Sequence, residues 1–253
     1  MDRQHIQSRL LELLTRFDSL CSEQNIAYTL HGGTLLGAVR NGGFIPWDDD
    51  ADVAMTRTEF RKLYDHLRKE DSAFFITERI KTQFRSKDDP EIWIDIFICD
   101  PISEHPFAQK LKLLLLTALD IMSKNNHSKN LSNIRNYSLI KQTAFHCLYI
   151  LGKPISARRK AKWYNCIAQT WLNGSGTLFF RSNDQYVGRK LPFPADWMDH
   201  FENIQFEGRT FRTQRDYNAL LTSCYGPDYM IPRRDDHAHR VHMLVRSDSE
   251  HVC

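Results

Sequence analysis

Tyr28-Thr29-Leu30-His31-Gly32-Gly33-Thr34-Leu35-Leu36-Gly37-Ala38-Val39-Arg40, followed by Asn41-Gly42-Gly43-Phe44-Ile45-Pro46-Trp47-Asp48-Asp49-Asp50-Ala51-Asp52-Val53-Ala54-Met55, is the stretch around which the rest of the chain is organised. Its last part reads as a strand that points Asp48, Asp50 and Asp52 to one side. Three carboxylates on one face repel each other and are stable only with a cation among them. Mg²⁺ or Mn²⁺, which take oxygen ligands, are the natural candidates. A merely solvated acidic loop has no need of the apolar Phe44-Ile45-Pro46-Trp47 bracket, nor of Val53 and Met55 continuing the alternation.

Upstream, Tyr28-Thr29-Leu30 reads as a short strand, Gly32-Gly33 as a tight turn and Thr34 to Val39 as the first turns of a helix. Such a junction lets backbone N–H groups approach a phosphate closely. Arg40, at the end of that helix, adds a fork of donors for the same phosphate. Anion cradle and metal-binding carboxylates in one short segment are the parts that a phosphoryl or nucleotidyl transfer site requires.

G-G-T-L-L-G-A-V-R followed by G-F-I-P-W-D-D-D-A-D resembles the motif of the LicD family, enzymes of nucleotidyltransferase fold that include bacterial phosphocholine transferases and, more distantly, fukutin and fukutin-related protein. The resemblance implies an α/β (α+β) fold, a small mixed sheet flanked by helices with a helical insert in mid-chain. It implies a metal-dependent transfer of a phospho-substituent, typically phosphocholine from CDP-choline, onto a hydroxyl of a cell-surface glycan such as lipopolysaccharide or teichoic acid, with CMP leaving. Another CDP-linked group such as ribitol phosphate, nucleotidyl transfer from an NTP, and a catalytically silent nucleotide-binding or partner-binding protein are the alternatives.

Ile92 to Cys99 is the clearest strand in the chain, apolar on both faces except for Asp95. A carboxylate in so apolar a run is costly unless paired or metal-bound. The family resemblance places a third site carboxylate on a strand after the paired aspartates, and Asp95 fits; a salt bridge to Arg79 or Arg85 is the competing reading. Asp100-Pro101 is expected to end this strand.

With 253 residues and 42% hydrophobic content the chain can bury a substantial core. The net charge of +3 argues against a nucleic-acid binder. Six cysteines without regular spacing fit free thiols in a reducing cytosol. No secretory signal is read at the N-terminus, and the apolar window Leu111 to Met122 is too short to span a bilayer. The expected location is cytoplasmic, with peripheral contact at the inner face of the membrane if the acceptor is lipid-linked.

Residues 4 to 24 are expected to form a helix with one buried face. Thr56-x-x-Glu59 is a capping box that opens a helix to about Lys69, and Phe74 to Glu78 a short strand. Helices follow at 107 to 122, 131 to 151 and 156 to 172. Arg158, Arg159, Lys160 and Lys162 form a basic cluster read as a solvated face, with anionic lipid or a phosphorylated glycan as the alternative contact. Thr177 to Phe180 and Gln185 to Gly188 read as short strands, Ile204 to Phe211 as a hairpin turning at Glu207-Gly208, and Arg215 to Cys224 as the last helix. His237, His239 and His242 lie in a polar tail with no geometry for zinc. Domain bounds are drawn at 1–103 for the catalytic core, 104–172 for the helical insert and 173–253 for a C-terminal part that completes the core.

In the mechanism these readings suggest, Asp50 and Asp52 hold Mg²⁺ or Mn²⁺ and Asp48 supports them. Gly32, Gly33, Thr34 and Arg40 bind the donor phosphates, and Asp95 is general base or metal-linked carboxylate. Trp47 and Trp93 are the candidate aromatic faces for a choline headgroup.

Overall fold

The computed structural model of the chain describes residues 3–69, 72–77, 79–124, 138–170 and 172–232. In chain order its elements are α1 (Arg3–Glu23), β1 (Thr29–Leu30), α2 (Gly32–Asn41), β2 (Ala51–Thr56), α3 (Arg57–Lys69), β3 (Phe74–Ile76), β4 (Thr82–Ser86) and β5 (Trp93–Ile102). There follow α4 (Pro106–Met122), α5 (Leu139–Gly152), α6 (Ala157–Thr170), β6 (Leu178–Arg181), α7 (Tyr186–Arg189), β7 (Phe193–Pro194), β8 (Phe201–Phe206), β9 (Arg209–Gln214) and α8 (Tyr217–Tyr225). The fold is mixed α/β: a 7-stranded mixed sheet, a separate β8–β9 hairpin, and helices packed around both.

The sheet is built around β5. One edge of β5 pairs with β2 in parallel; the other is shared by two antiparallel strands, β4 against its first half and β6 against its second. Between them the side-chain amide of Asn183 imitates a strand, accepting from Ile98 N at 2.8 Å and donating to Ile96 O at 2.7 Å. Strands flanked in this way read as continuous apolar runs, and Ile94, Ile96, Ile98 and Cys99 are buried. The antiparallel strand β1 covers the far side of β2.

Apolar residues at helical spacing give α1 one buried face, Leu10, Leu13, Leu14, Phe17 and Cys21. Phe17 meets Tyr28 and Phe84 edge-on, each at 5.1 Å, which fixes α1 on the sheet that carries the acidic motif. The β8–β9 hairpin turns at Glu207 and Gly208, both at positive φ (52° and 70°), as a tight two-residue turn demands. Its Glu207 also receives the N–H of Phe44 at 2.8 Å, so the hairpin tip grips the loop that leads to Asp48.

Several expectations need correction. The capping box at Thr56 is half formed: Thr56 Oγ1 accepts from Glu59 N at 3.3 Å, but the Glu59 carboxylate turns to Ala27 N and Lys62 Nζ, each at 2.8 Å. Gln185 to Gly188 is not a strand, since Tyr186–Arg189 is the short helix α7. Asp100-Pro101 does not end β5, which runs on to Ile102 against β6. The reason is a buried ion pair: Arg57 grips Asp100 through Nε at 3.0 Å and Nη2 at 2.5 Å. Lys160 is withdrawn from the basic cluster, being buried with its ammonium on the carbonyls of Met122 and Gly152. His237, His239 and His242 lie outside the described residues.

Helices α4 and α6 have their own small core, in which Leu113, Leu116, Leu119 and Tyr164 pack with Ile102 and Phe180 of the sheet. Arg57 couples this layer to the core, because its Nη1 also donates to Asn165 of α6 at 3.2 Å. Removing one partner of a buried pair strands the other charge, so Asp100→Ala should lower the unfolding free energy by about 3–5 kcal/mol. Urea denaturation checks this, and a loss below about 1 kcal/mol would contradict a structural role for the pair.

Candidate active site

Parallel pairing of β2 with β5 sets Asp52 directly beside Asp95, with Ala51 beside Ile94 and Val53 beside Ile96. Neighbours in register share a face, so the two carboxylates project together. Asp50, in the loop just before β2, joins them, and one oxygen from each of Asp50, Asp52 and Asp95 falls within 4.8 Å of the others. The expected strand face with Asp48, Asp50 and Asp52 in a row is corrected, because β2 begins only at Ala51. Asp48 and Asp50 sit in a loop that Gln7 of α1 holds through Nε2, to Ile45 O at 3.2 Å and Asp48 O at 2.9 Å. Asp48 is close to Asp50 and lines the same cavity.

Asp48, Asp52 and Asp95 hold protons unusually well. Burial first, then the charges of Asp50, Asp95 and Asp48, raise Asp52 well above the ordinary carboxylate range. Burial and then Asp50 push Asp48 up to about 7. Asp95 is also raised, burial being the main cause, although the Gln83 amide donates to it at 3.0 Å and Lys81 opposes the shift. The competing reading of Asp95, an ion pair with Arg79 or Arg85, gives way to this Gln83 contact; Arg85 lies over the Trp93 ring at 4.4 Å.

Gly32 and Gly33 make room for the acids. A Cβ on Gly32, whose φ is +53°, would lie 2.2 Å from Asp52 Oδ2, and one on Gly33 would lie 2.4 Å from Asp48 Oδ2. The start of α2 therefore abuts carboxylates, and Gly33 N–H points to Asp52 Oδ2 at 3.3 Å. Thr34 was expected to contact a phosphate, yet it is buried and its Oγ1 accepts the backbone N–H of Asp52 at 2.8 Å. Its role here is to set the start of β2.

A cavity of about 540 Å³ opens over the trio. Its walls include Gly32, Gly33, Arg40, Trp47 and Asp48 of the motif, together with Lys81 beside β4. Trp93 is not among its lining residues. Sequence reasoning missed four of its groups, His31, Arg181, Tyr225 and Tyr229.

Arg181 is 2% exposed, with Nε on Asp184 at 3.1 Å and Nη2 on Gly188 O at 3.1 Å, while Nη1 has no hydrogen-bond partner among the described residues. His31 lies close by, its proton affinity lowered well below the usual imidazole value by burial and then by Arg181, so it is neutral near pH 7. Its Nδ1 is likewise without a partner among the described residues. The available signal for Arg181 was a cation that ends an apolar run, Leu178-Phe179-Phe180-Arg181, just before Ser182-Asn183-Asp184.

Chemically, three hard oxygen donors converge where burial and mutual repulsion disfavour three free anions. That donor set suits an ion such as Mg²⁺ or Mn²⁺. The same cavity offers a buried guanidinium donor and three aromatic rings, Trp47, Tyr225 and Tyr229.

Residues 25–105 match the LicD/FKTN/FKRP nucleotidyltransferase domain. The chain is 29% identical over 263 aligned positions to the lipopolysaccharide cholinephosphotransferase LicD of Haemophilus influenzae, an alignment covering 91% of this chain and 93% of that protein. An uncharacterized protein of Rickettsia prowazekii is 28% identical over 117 residues, 39% of this chain and 41% of its own length. Asp50, Asp52 and Asp95 all fall within residues 25–105, so the part of the chain that carries the trio is the part that matches the LicD/FKTN/FKRP nucleotidyltransferase domain.

Proposed function

We propose that this protein is a transferase that moves phosphocholine from CDP-choline onto a hydroxyl of a lipid-linked surface glycan, releasing CMP. The observation that carries this reading is the carboxylate trio within one cavity that also holds a buried arginine and aromatic rings. Near end-to-end similarity to a protein named as a lipopolysaccharide cholinephosphotransferase supports the choice of donor and acceptor.

Asp50, Asp52 and Asp95 would hold the divalent ion, supported by Asp48 in the same cavity. When bound, that ion would neutralise charge on the donor diphosphate. The chain's own groups do the rest. Arg181 Nη1, fixed by Asp184 and Gly188, donates to a phosphate oxygen, and Arg40 adds positive charge at the cavity wall. Trp47, Tyr225 and Tyr229 offer ring faces to the quaternary ammonium.

The acceptor oxygen attacks the choline-bearing phosphorus in line, and the bond from that phosphorus to the bridging oxygen breaks, so CMP departs with the electron pair. The hydroxyl proton passes to Asp95, the carboxylate set beside Asp52 on the neighbouring strand. His31, neutral, contributes a hydrogen bond at the cavity wall rather than a charge.

Asp52→Asn and Asp95→Asn should each cut turnover of CDP-choline by at least about 10²–10³-fold while leaving a cooperative thermal unfolding transition. Near wild-type turnover in a folded variant would discard the assignment. The accompanying thermal-shift comparison should show metal-dependent stabilisation by CDP-choline exceeding that by CDP-ribitol, CTP or ATP. A preference for one of the others would replace the donor, and stabilisation without turnover would identify a silent binder.

Arg181→Lys should weaken CDP binding about 10–100-fold while leaving cytidine binding unchanged, both by calorimetry with Mg²⁺ present. Equal losses for the two, or no loss, would show that Arg181 supports structure only.

A further inference from the structure

Helix α5 has an apolar face that nothing described covers. Ile140, Ala144, Cys147 and Leu151 are spaced so that they form one stripe, with Thr143 and Ile150 at its margin, and all six are exposed. Leu139 and Ile140 are 79% and 83% exposed, Ile150 and Leu151 60% and 61%. Among the residues of α5 only Gly152 is buried, so the helix presents most of its apolar surface outward. On α4, Phe107 and Leu114 are exposed on one face as well.

The stretch of sequence that carries α5 and α6 has charge of one sign. Between Asp120 and Asp184 the sequence contains no aspartate or glutamate, although the whole chain has 31 of them. Within the described part of that stretch, Lys141, Lys153, Arg158, Arg159 and Lys162 are exposed. On α6, Arg159, Lys162 and a half-exposed Trp163 share one side. An apolar stripe on one helix, and cations with a tryptophan on the helix that follows it, with no carboxylate in either, is the composition of helices that lie in the plane of a membrane interface. No helix of the described residues is long and apolar enough to cross a membrane, and α5 has 14 residues.

We infer that α5, with the basic side of α6, docks onto an anionic phospholipid surface, its apolar stripe entering the headgroup boundary and its cations meeting lipid phosphates. Charge complementarity selects this occupant: a second copy of the chain would set like charges of α5 and α6 against each other, whereas anionic lipid neutralises them. The assignment is independent of the donor proposed above. It gives the cavity a means to meet an acceptor carried on lipid.

Co-sedimentation of the full chain with vesicles tests it. The wild type should pellet with vesicles of mixed phosphatidylglycerol and phosphatidylcholine, bind phosphatidylcholine alone far less, and release as salt is raised. Two double variants, Ile140→Ser with Leu151→Ser and Arg159→Glu with Lys162→Glu, should each lose vesicle affinity by at least about tenfold. Thermal stabilisation by CDP-choline, which reports the cavity, should be unchanged in both, and its absence in the wild type would fault the donor alone. Wild type that stays in the supernatant with anionic vesicles, or variants that pellet as wild type does, would overturn the inference. So would a concentration-dependent dimer, seen by sedimentation velocity, that the Ile140→Ser and Leu151→Ser changes abolish.

Discussion

Two like charges placed side by side on parallel strands are the constraint from which the rest of this structure follows. Asp52 and Asp95 are register partners on β2 and β5, and Asp50 completes a trio within 4.8 Å. Left alone, that arrangement opposes folding, because burial and mutual repulsion both penalise the ionised forms. A fold under no demand for it would set an apolar or hydrogen-bonded pair at these positions. The sheet instead pins the acids and leaves a cavity above them.

Support comes from every side of the molecule. Gly33 directs an N–H at Asp52, Thr34 holds the backbone of Asp52, and Gln83 orients Asp95. Gln7 of α1 and Glu207 at the hairpin tip secure opposite ends of the loop between α2 and β2. Beyond the acids, β6 brings Arg181 to the cavity wall and the Asn183 amide seals the gap in the pairing of β5. Residues distant in sequence thus fix one small polar cluster, as preorganisation for charge development requires.

Much of this was legible in the sequence wherever a local pattern set the outcome. The acidic motif, the amphipathic α1, the apolar run of β5 and the Glu207-Gly208 turn all depend on near neighbours. The rest depended on contacts between distant segments. Strand β4, Thr-Gln-Phe-Arg-Ser, has little intrinsic strand character and exists because β3 and β5 flank it. Pro101 remains within a strand because Arg57, far away in sequence, neutralises Asp100. Thr34 sits in a motif that suggests phosphate contact, yet its hydroxyl was already committed to Asp52. Arg181 could not be told from any solvated arginine until β6 paired with β5 and buried it. Lys160 illustrates the reverse, a member of a basic run that packing removed from the surface.

A divalent ion shared by the three carboxylates is the proposal on which the function depends. Crystals grown with Mn²⁺ and CDP, with data collected at a wavelength where manganese scatters anomalously, address it most directly. An anomalous peak at about 2.1 Å from oxygens of Asp50, Asp52 and Asp95, next to the diphosphate, is the expected result. Ordered CDP with no manganese between those side chains, or the three carboxylates turned apart, would contradict it.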